Sequence, residues 1–490
     1  MGKIKSAIIT ALLAAAVAVL AVFALFSWQV PGSNGVERYN SFIGNIRLGG
    51  DLTGNATTVL YPEGVISPAE YADLEDGDKS DYAQCGNVYV DKEVLEEHGE
   101  DGLKKLVAED AKVLSERFGQ KGYTSYSVSV LDGFALSVTV PTNFTYAEYK
   151  QYNSSSRSEQ RSVIEKSIVS LAYNGKLSLR NSDVGNKKSN NIRTKITDHV
   201  TAFFKSVSKQ SVSGNHAVKI SLTKEGREQF KAMSAKVLTA ESDKAIGFYV
   251  GEYALLSLSL SEEIDAGTFY IPVEESNAQD YTIVMNSVAD GKTITLDYSS
   301  DEAQIIYAGA ELGDTASLFL GVSLLLIVAG AIAYSIARYK KLGLVNSLII
   351  IIFALALITV LMLLEIQLTL AGAVTAVIGL ALLCASNFAS FEAVRKETLK
   401  GKTIQSSVKE AYKAQLAGIL EMHVILLIVS IFLAFVGVGE VAACGLILFI
   451  SGVASYVLYW FTRFMWYVTS SPVKDKFKFC GYKREELEDD

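Results

Sequence analysis

Three polar residues stand inside apolar runs, where their chemistry has few competitors. Glu421 and His423 occur in Gly418-Ile419-Leu420-Glu421-Met422-His423-Val424, and Asn387 in Ala385-Ser386-Asn387-Phe388. An ionisable group in a membrane segment costs on the order of 2.5–3.5 kcal/mol on insertion scales, which makes such positions functional-site candidates. A carboxylate, an imidazole and an amide at that depth could take up and pass protons, so the three are proton-relay candidates. The plainer alternative is a helix-end carboxylate that snorkels to water and an asparagine that bonds a neighbouring helix. Residues two apart lie on different faces of a helix, so Glu421 and His423 do not make one dyad. Other chemistry is absent from the pattern. There is no Gly-x-x-x-x-Gly-Lys loop, and His98, His199 and His216 lack metal-ligand spacing. No metal, cofactor or hydrolytic site is expected.

The segments that carry these residues are long. Half of the 490 residues are hydrophobic and mean hydropathy is +0.26, high for a water-soluble chain. A spanning helix needs about 20 apolar residues to cross a hydrocarbon layer of about 30 Å. Six segments qualify: 7–28, 316–337, 343–364, 369–390, 416–436 and 441–464. The first follows Lys3 and Lys5 and exceeds the core of about 7–15 residues usual in a cleaved signal peptide. Without a small-x-small site at Ser27-Trp28-Gln29 it reads as an uncleaved anchor. Residues 1–29 are thus a first membrane helix, 30–315 a large polar domain, 316–466 a five-helix bundle and 467–490 a tail.

Basic residues set the expected orientation. Lys3, Lys5, Arg338, Lys340, Lys341, the run from Arg395 to Lys413 and the tail from Arg463 to Arg484 all fall on one side. The short loops on the other side carry none, which is the positive-inside pattern. Both termini are therefore expected in the cytoplasm and the polar domain outside it. That domain carries a net charge of about −13, which argues against nucleic acid as a partner. Of four cysteines only Cys85 lies in it, so no intrachain disulfide is available there. Cys384 and Cys444 read as small packing residues. The basic stretch 391–415 is expected to rest on the inner membrane surface.

Within the polar domain, 43–51 reads as an opening strand and 57–61 as a β-branched one. Residues 62–90, rich in Asp and Glu without periodicity, read as a solvated loop. A helical stretch follows from Asp91, with Leu103, Leu106, Val107, Ala111 and Leu114 at 3–4 residue spacing. Strands 125–131 and 134–140 flank Asp132-Gly133, a strong hairpin signal. A helix over 158–171 and a strand over 176–179 complete a β-α-β-β-α-β order, the ferredoxin-like unit. The order recurs: strand 217–222, a helix capped by Thr223, a hairpin across Gly251-Glu252, helix 278–288 and strand 293–297. Two ferredoxin-like halves, about 43–180 and 216–300, are therefore expected around a polar insert, 181–215. The fold class is a polytopic α-helical membrane protein with a large α+β extracytoplasmic domain.

Several motifs taken in order resemble the SecD family, the large-loop subunits of the bacterial SecDF auxiliary translocase in the RND-type superfamily. Arg47-Leu48-Gly49-Gly50-Asp51-Leu52-Thr53-Gly54 is similar to that family's Arg-Leu-Gly-Leu-Asp-Leu-Arg-Gly-Gly. Ser221-Leu222-Thr223-Lys224-Glu225-Gly226 and Ile246-Gly247-Phe248-Tyr249-Val250 resemble segments of its second outer half. Phe391-Glu392, Arg395 and Gly401-Lys402 resemble the loop after its fourth helix, and Gly437-Val438-Gly439 its turn before the sixth. Asp51, Gly49, Gly54, Glu392 and Arg395 are the family-motif residues carried over. Three departures matter, the first that Thr53 stands where the signature has Arg. The family's fourth-helix Val-Asp-Ala-Asn corresponds to Cys384-Ala385-Ser386-Asn387, where Ala385 replaces the Asp implicated in proton coupling. Its fifth-helix Leu-Asp-Ala-Asn corresponds to Leu420-Glu421-Met422-His423.

The resemblance implies a Sec-export subunit of a bacterial cell membrane, binding unfolded preprotein outside as it leaves the SecYEG channel, downstream of SecA. Six helices are half of an RND-type bundle, so a SecF-like partner is implied. Coupling to protons would then rest on Glu421 or on that partner, or be lost. A proton-independent scaffold beside the translocon and an RND-type small-molecule or lipid exporter are the alternatives. Asp51 is expected to be structural or hinge-related.

Overall fold

A computed structural model of the chain describes residues 3–29, 38–123, 125–142, 145–146, 154–180, 195–197, 203–212, 215–239, 244–298, 305–308 and 315–470. The chain divides into two compact units. One is α+β and comprises Ala56–Thr142 and Asn153–Ala308; the other holds the apolar helices.

The helical unit begins with α1, Lys3–Leu25, and a two-residue ribbon, Trp28–Gln29 against Arg38–Tyr39. The stretch expected as an opening strand, 43–51, is not one. Ile46, Leu48, Gly50 and Leu52 are buried at every second position, as a strand would have them, but Gly49 between them is buried too. The backbone instead turns, makes isolated bridges at Arg47 and Leu48, and coils into a short helix, Gly50–Thr53.

Strand β1, Asn55–Leu60, alternates in burial as a half-buried strand should. Residues 62–90, expected as a solvated loop, are folded. Strands β2 (Val65–Ile66), β3 (Tyr82–Cys85) and β4 (Val88–Asp91) form a small antiparallel sheet. Val65, Val88 and Val90 pack with Leu103 and Phe134 into a core of their own, which the surrounding acidic residues obscure in the sequence. A capping box between Ser67 and Glu70 starts the helix Pro68–Asp73. Helix Lys92–His98 leads through Gly99 into α2, Glu100–Gln120, and the hairpin β5 (Ser127–Leu131) and β6 (Ala135–Pro141) turns at Asp132 and Gly133, both with positive φ.

Next come α3 (Ser154–Leu171), β7 (Leu177–Arg180), β8 (Lys195–Thr197), β9 (Phe204–Val212) and β10 (Asn215–Leu222). Thr223 accepts the Gly226 N–H at 3.0 Å and caps α4, Lys224–Leu238. The hairpin β11 (Ala245–Val250) and β12 (Tyr253–Ser259) precedes β13 (Thr268–Pro272), α5 (Glu275–Ala289) and β14 (Ile306–Ala308). The larger sheets run β14-β1-β6-β5, β8-β7-β11-β12 and β9-β10-β13.

Three expectations are corrected by this pairing. The closing strand of the first half, β7, pairs with β11 of the second, Leu177 opposite Val250, so the two halves share a sheet. Part of the supposed insert is the strand β9, paired with β10 along its whole length; 181–194, 198–202 and 213–214 lie outside the described residues. Residues 293–297 are not a strand, because their backbone is bonded elsewhere. The N–H groups of Thr295 and Leu296 donate to the two carboxylate oxygens of Asp110, at 2.8 and 3.0 Å.

Asp110 belongs to a group of enclosed charges in this unit. Arg117, wholly buried, donates from Nη1 to the carbonyls of Leu171 (2.7 Å) and Tyr173 (2.9 Å), closing the end of α3, and from Nε to Ser287 Oγ (3.1 Å). Burial holds its guanidinium down to about 10, against the opposing pull of Asp110. Burial likewise pushes the Asp110 carboxyl up, although the two N–H groups pull it back. Asp280 forms an ion pair with Lys121.

The helical unit resumes with α6 (Ala316–Tyr339), α7 (Lys341–Leu363), α8 (Leu370–Leu399), α9 (Ile404–Val436) and α10 (Glu440–Ser470). All five are long and apolar enough to cross a membrane. The stretch 391–415 is no separate surface element, as the sequence suggested. Its first part continues α8, its last part opens α9, and only the turn 400–403 intervenes, ended by Thr403, which accepts the Ser406 N–H at 3.3 Å.

Candidate functional site: the polar groups of the helix bundle

Helix α8 carries most of the polar chemistry. Its Asn387 lies about 26 Å from the start of the helix at 1.5 Å per residue, fully buried. Asn387 Nδ2 donates to Asn346 Oδ1 on α7 at 2.7 Å, and Asn346 Nδ2 donates to Ser335 Oγ on α6 at 2.7 Å. Gly343 brings α6 and α7 close enough for this, since a Cβ there would overlap the Ser335 carbonyl. The ladder thus ties three helices with neutral groups. Asn387 Oδ1 and Ser386 Oγ are enclosed with no partner among the described residues. One turn on, Ser390 shares a 3.1 Å hydrogen bond with Tyr459 of α10.

The other two relay candidates lie apart from it. His423, buried on α9, has Nδ1 2.8 Å from the Ile419 carbonyl and Nε2 3.0 Å from Ser455 Oγ on α10. A carbonyl only accepts, so Nδ1 carries a proton, and both ring nitrogens have a hydrogen-bond partner. Glu421 is exposed on the opposite side of α9. Among the described residues no hydrogen bond joins any two of Glu421, His423 and Asn387. Ala385, where the family motif has Asp, is exposed on α8, in line with Ala381 and Ala389.

Charges gather at the two ends of α8. Near its C-terminal end, Glu392 Oε1 accepts from Arg338 of α6 at 3.0 Å and from the nearly buried Arg395 at 3.4 Å. At the N-terminal end, segment 47–51 is fastened to the α7–α8 loop. The Leu368 N–H donates to Arg47 O (2.8 Å), the Gly49 N–H to Leu368 O (2.9 Å), and Arg47 pairs with Glu365 at 2.8 Å. A side chain at Gly49 would meet Thr369 Cγ2 at 2.5 Å, so only glycine permits this approach. Gly54, at φ 101, ends the turn and lets the chain leave toward β1. Two of the four unpaired N–H groups that open α8 are satisfied here. Thr369 accepts that of Gly372 at 3.0 Å, and Asp51 Oδ2 accepts that of Leu370 at 2.6 Å. Burial pushes the Asp51 carboxyl above the ordinary range, the Leu370 N–H pulls it down, and the neighbouring charge of Glu440 pushes it up again.

The sequence reading passed over Asn346, Ser335 and Ser455, and gave Glu365 only as a water-accessible residue at an outer helix end. Asn346 was within reach: an amide inside the apolar run 343–364 is itself a signal that a second helix supplies a partner. The pairing of Arg47 with Glu365, 318 residues apart, has no local signal. Among the described residues no three His, Cys, Asp or Glu side chains converge as a metal site.

No protein-family model matches the chain. It is similar to the protein translocase subunit SecD of Aquifex aeolicus, 23% identical over 267 residues that make up 48% of this chain and 53% of that protein. The corresponding subunit of Acidaminococcus fermentans is 22% identical over 231 residues, 47% of this chain and 53% of that one. The matched region is thus about half the length of these curated relatives. A crystal structure of SecDF in a super-membrane-facing form superposes with a TM-score of 0.52 at 17% identity, covering 96% of this chain and 59% of that one. In sequence and in fold the chain is SecD-like, a multi-pass membrane protein with a large α+β unit.

Proposed function

We propose that this SecD-like chain is a protein-translocation subunit of a bacterial cell membrane and works with a second, SecF-like bundle of six helices. Both termini face the cytoplasm, as the distribution of Lys and Arg supports. The α+β unit then lies outside, where it binds unfolded polypeptide leaving a SecYEG-type channel and favours its forward passage. The observation that carries the reading is the unpartnered face of α8 and α9. Ala381, Ala385 and Ala389 recur every fourth residue on the exposed side of α8, the small-residue spacing that lets another membrane helix approach closely. Glu421 lies exposed on α9, with Ile425, Ile428, Phe432 and Phe435 continuing its stripe at 3–4 residue spacing. A carboxylate among lipid-facing side chains calls for a cationic or donor group on a partner.

The test is purification of the tagged full chain from native membranes in mild detergent. A SecF-like protein and translocon subunits should accompany it, and Ala385→Trp should reduce their yield without lowering the chain's own melting temperature. A self-associating chain free of Sec components would overturn the reading. Linkage to the proton-motive force rests on Glu421 or on the partner, because Ala385 cannot carry a proton. Export that is unchanged in Glu421→Gln and insensitive to an ionophore would leave the scaffold reading, which Ala385 itself favours.

A further inference from the structure

The Lys- and Arg-bearing end of the bundle treats its cations in two ways. On the side of α6 and α8, Arg338 and Arg395 meet Glu392, and Lys400 and Lys402 meet Glu397. On the side of α9 and α10, Lys409, Lys413 and Arg463 meet no carboxylate among the described residues. Arg463 is held all the same. Its Cζ lies 5.6 Å from the centre of the Tyr412 ring on α9 and 5.2 Å from that of Trp460. A guanidinium stacked on rings keeps its N–H edge free to donate, and that edge matches a phosphate.

The two helices bring the three cations to one place. Tyr412 stacks on Tyr459 with centroids 4.9 Å apart, His423 reaches Ser455, and Gly445 packs against Leu433, so α9 and α10 run antiparallel. Lys409, one turn before Tyr412, is therefore level with Arg463, one turn after Tyr459. At about 100° per residue, Lys409 and Lys413 stand about 60° and 100° round α9 from Tyr412. Arg463 and Trp460 stand about 40° and 100° round α10 from Tyr459. In antiparallel helices both rotations open on the same flank of the seam. Glu410 is turned about 160° from Tyr412 and Glu421 about 180°, so both face away from it. Lys409 and Lys413 are exposed, and Arg463 and Trp460 half-buried.

We propose that this flank of the α9–α10 seam binds the phosphate of an anionic phospholipid, Arg463 donating to it between Lys409 and Lys413. Charge complementarity calls for an anion, and an Arg–phosphate contact can be bidentate. The apolar surface that continues from the cations makes the anion a lipid. Leu416 and Leu420 on α9, with Tyr456 and Val453 on α10, follow on the same flank toward the middle of the bundle; Leu420 and Val453 are exposed. The apolar run of α9 begins at 416, which sets the three cations at headgroup depth, where an indole also belongs. Basic pockets between membrane helices take lipid headgroups in this way. The site is distinct from the face of α8 and α9 that carries Ala385 and Glu421.

Native mass spectrometry of the full chain in mild detergent, titrated with phosphatidylglycerol or with phosphatidylcholine of the same acyl chains, tests the site. Each basic residue near a membrane surface is worth about fivefold in affinity for an anionic lipid. Phosphatidylglycerol should bind more tightly than phosphatidylcholine. Arg463→Gln and Lys409→Gln should each cut that preference about fivefold and leave phosphatidylcholine binding unchanged; the exposed Lys409 decides the matter if Arg463→Gln does not fold. Lys340→Gln, between α6 and α7, should leave the preference as it is, and inorganic phosphate should not displace the lipid. Equal affinity for the two lipids, a preference untouched by Lys409→Gln or lowered as much by Lys340→Gln, or displacement by inorganic phosphate would each overturn the proposal. So would a preference that emerges only when Glu485, Glu486 and Glu488 are replaced by Gln, since the acidic tail would then be the occupant.

Discussion

The α+β unit and the helix bundle bury polarity in opposite ways. The α+β unit encloses full charges: Arg117, Asp110, and Asp280 with Lys121. Among the described residues the middle of the bundle encloses no carboxylate, lysine or arginine; its enclosed polar groups include Ser335, Asn346, Asn387, Ser430, Ser451, Ser455 and His423. Its paired charges stand at helix ends, Arg47 with Glu365 at one end of α8, near Asp51, and Glu392 with Arg338 and Arg395 at the other. Irregular backbone explains the difference. Residues 171–173 and 295–296 offer loop carbonyls and N–H groups that satisfy Arg117 and Asp110. A membrane helix has already used its backbone groups on itself, so only side chains remain to satisfy one another. Charge is affordable where free backbone can meet it.

The largest effect should follow from breaking the charged core. Asp110→Ala strands the N–H groups of Thr295 and Leu296 and removes a negative charge that acts on Arg117. Leaving a buried donor without its acceptor costs about 1–3 kcal/mol for each group, and two donors are stranded here. Denaturant titration in detergent, followed by proteolysis within 56–308, should show that loss. Tryptophan fluorescence should not move, because Trp28, Trp460 and Trp466 all belong to the helical unit. A loss below about 1 kcal/mol, the net worth of an ordinary hydrogen bond, would mean that these charges are not what closes the core.

The neutral ladder should yield less. Asn346→Ala removes two bonds, one given to Ser335 and one taken from Asn387, whereas Asn387→Ala removes one. Polar contacts between membrane helices average about 0.6 kcal/mol and reach about 1.7 kcal/mol. Thermal unfolding read by tryptophan fluorescence should therefore rank Asn346→Ala above Asn387→Ala, both within that range. The reverse order would show that the enclosed Asn387 Oδ1 matters more than the ladder.

How much of this was legible in the sequence follows from whether each signal is local. The apolar helices, the Asp132-Gly133 hairpin and the Thr223 cap depend on neighbouring residues and could be read directly. The small sheet over 65–91 was hidden because its core is three valines in strands of two to four residues, diluted by acids. The pairing of β7 with β11 and the diversion of 295–296 to Asp110 join distant residues, and no period in the chain announces them. At the bundle, Glu421, His423 and Asn387 were found by their chemistry, but three separate arrangements hold them. Type and depth single out such residues; only the packing tells which helix each one faces.

The smallest effect belongs to the exposed charges. Arg47 and Glu365 lie 2.8 Å apart, but their side chains keep 31% and 68% of their exposure, so water screens them. Such pairs contribute about 0–1 kcal/mol, and less as ionic strength shortens the screening length. Glu365→Gln should shift the melting temperature less than Asn346→Ala does, and the shift should vanish at high salt. Segment 47–51 should stay in place, since its main-chain bonds to Leu368 survive the substitution. The comparison is sharpest here because distance alone would rank this charged pair with the 2.7 Å amide bonds of the ladder. If Glu365→Gln proved as costly as Asn346→Ala and indifferent to salt, exposure would not be what discounts a charge at the end of α8. The contrast between a neutral interior and tolerated terminal charges would then fail.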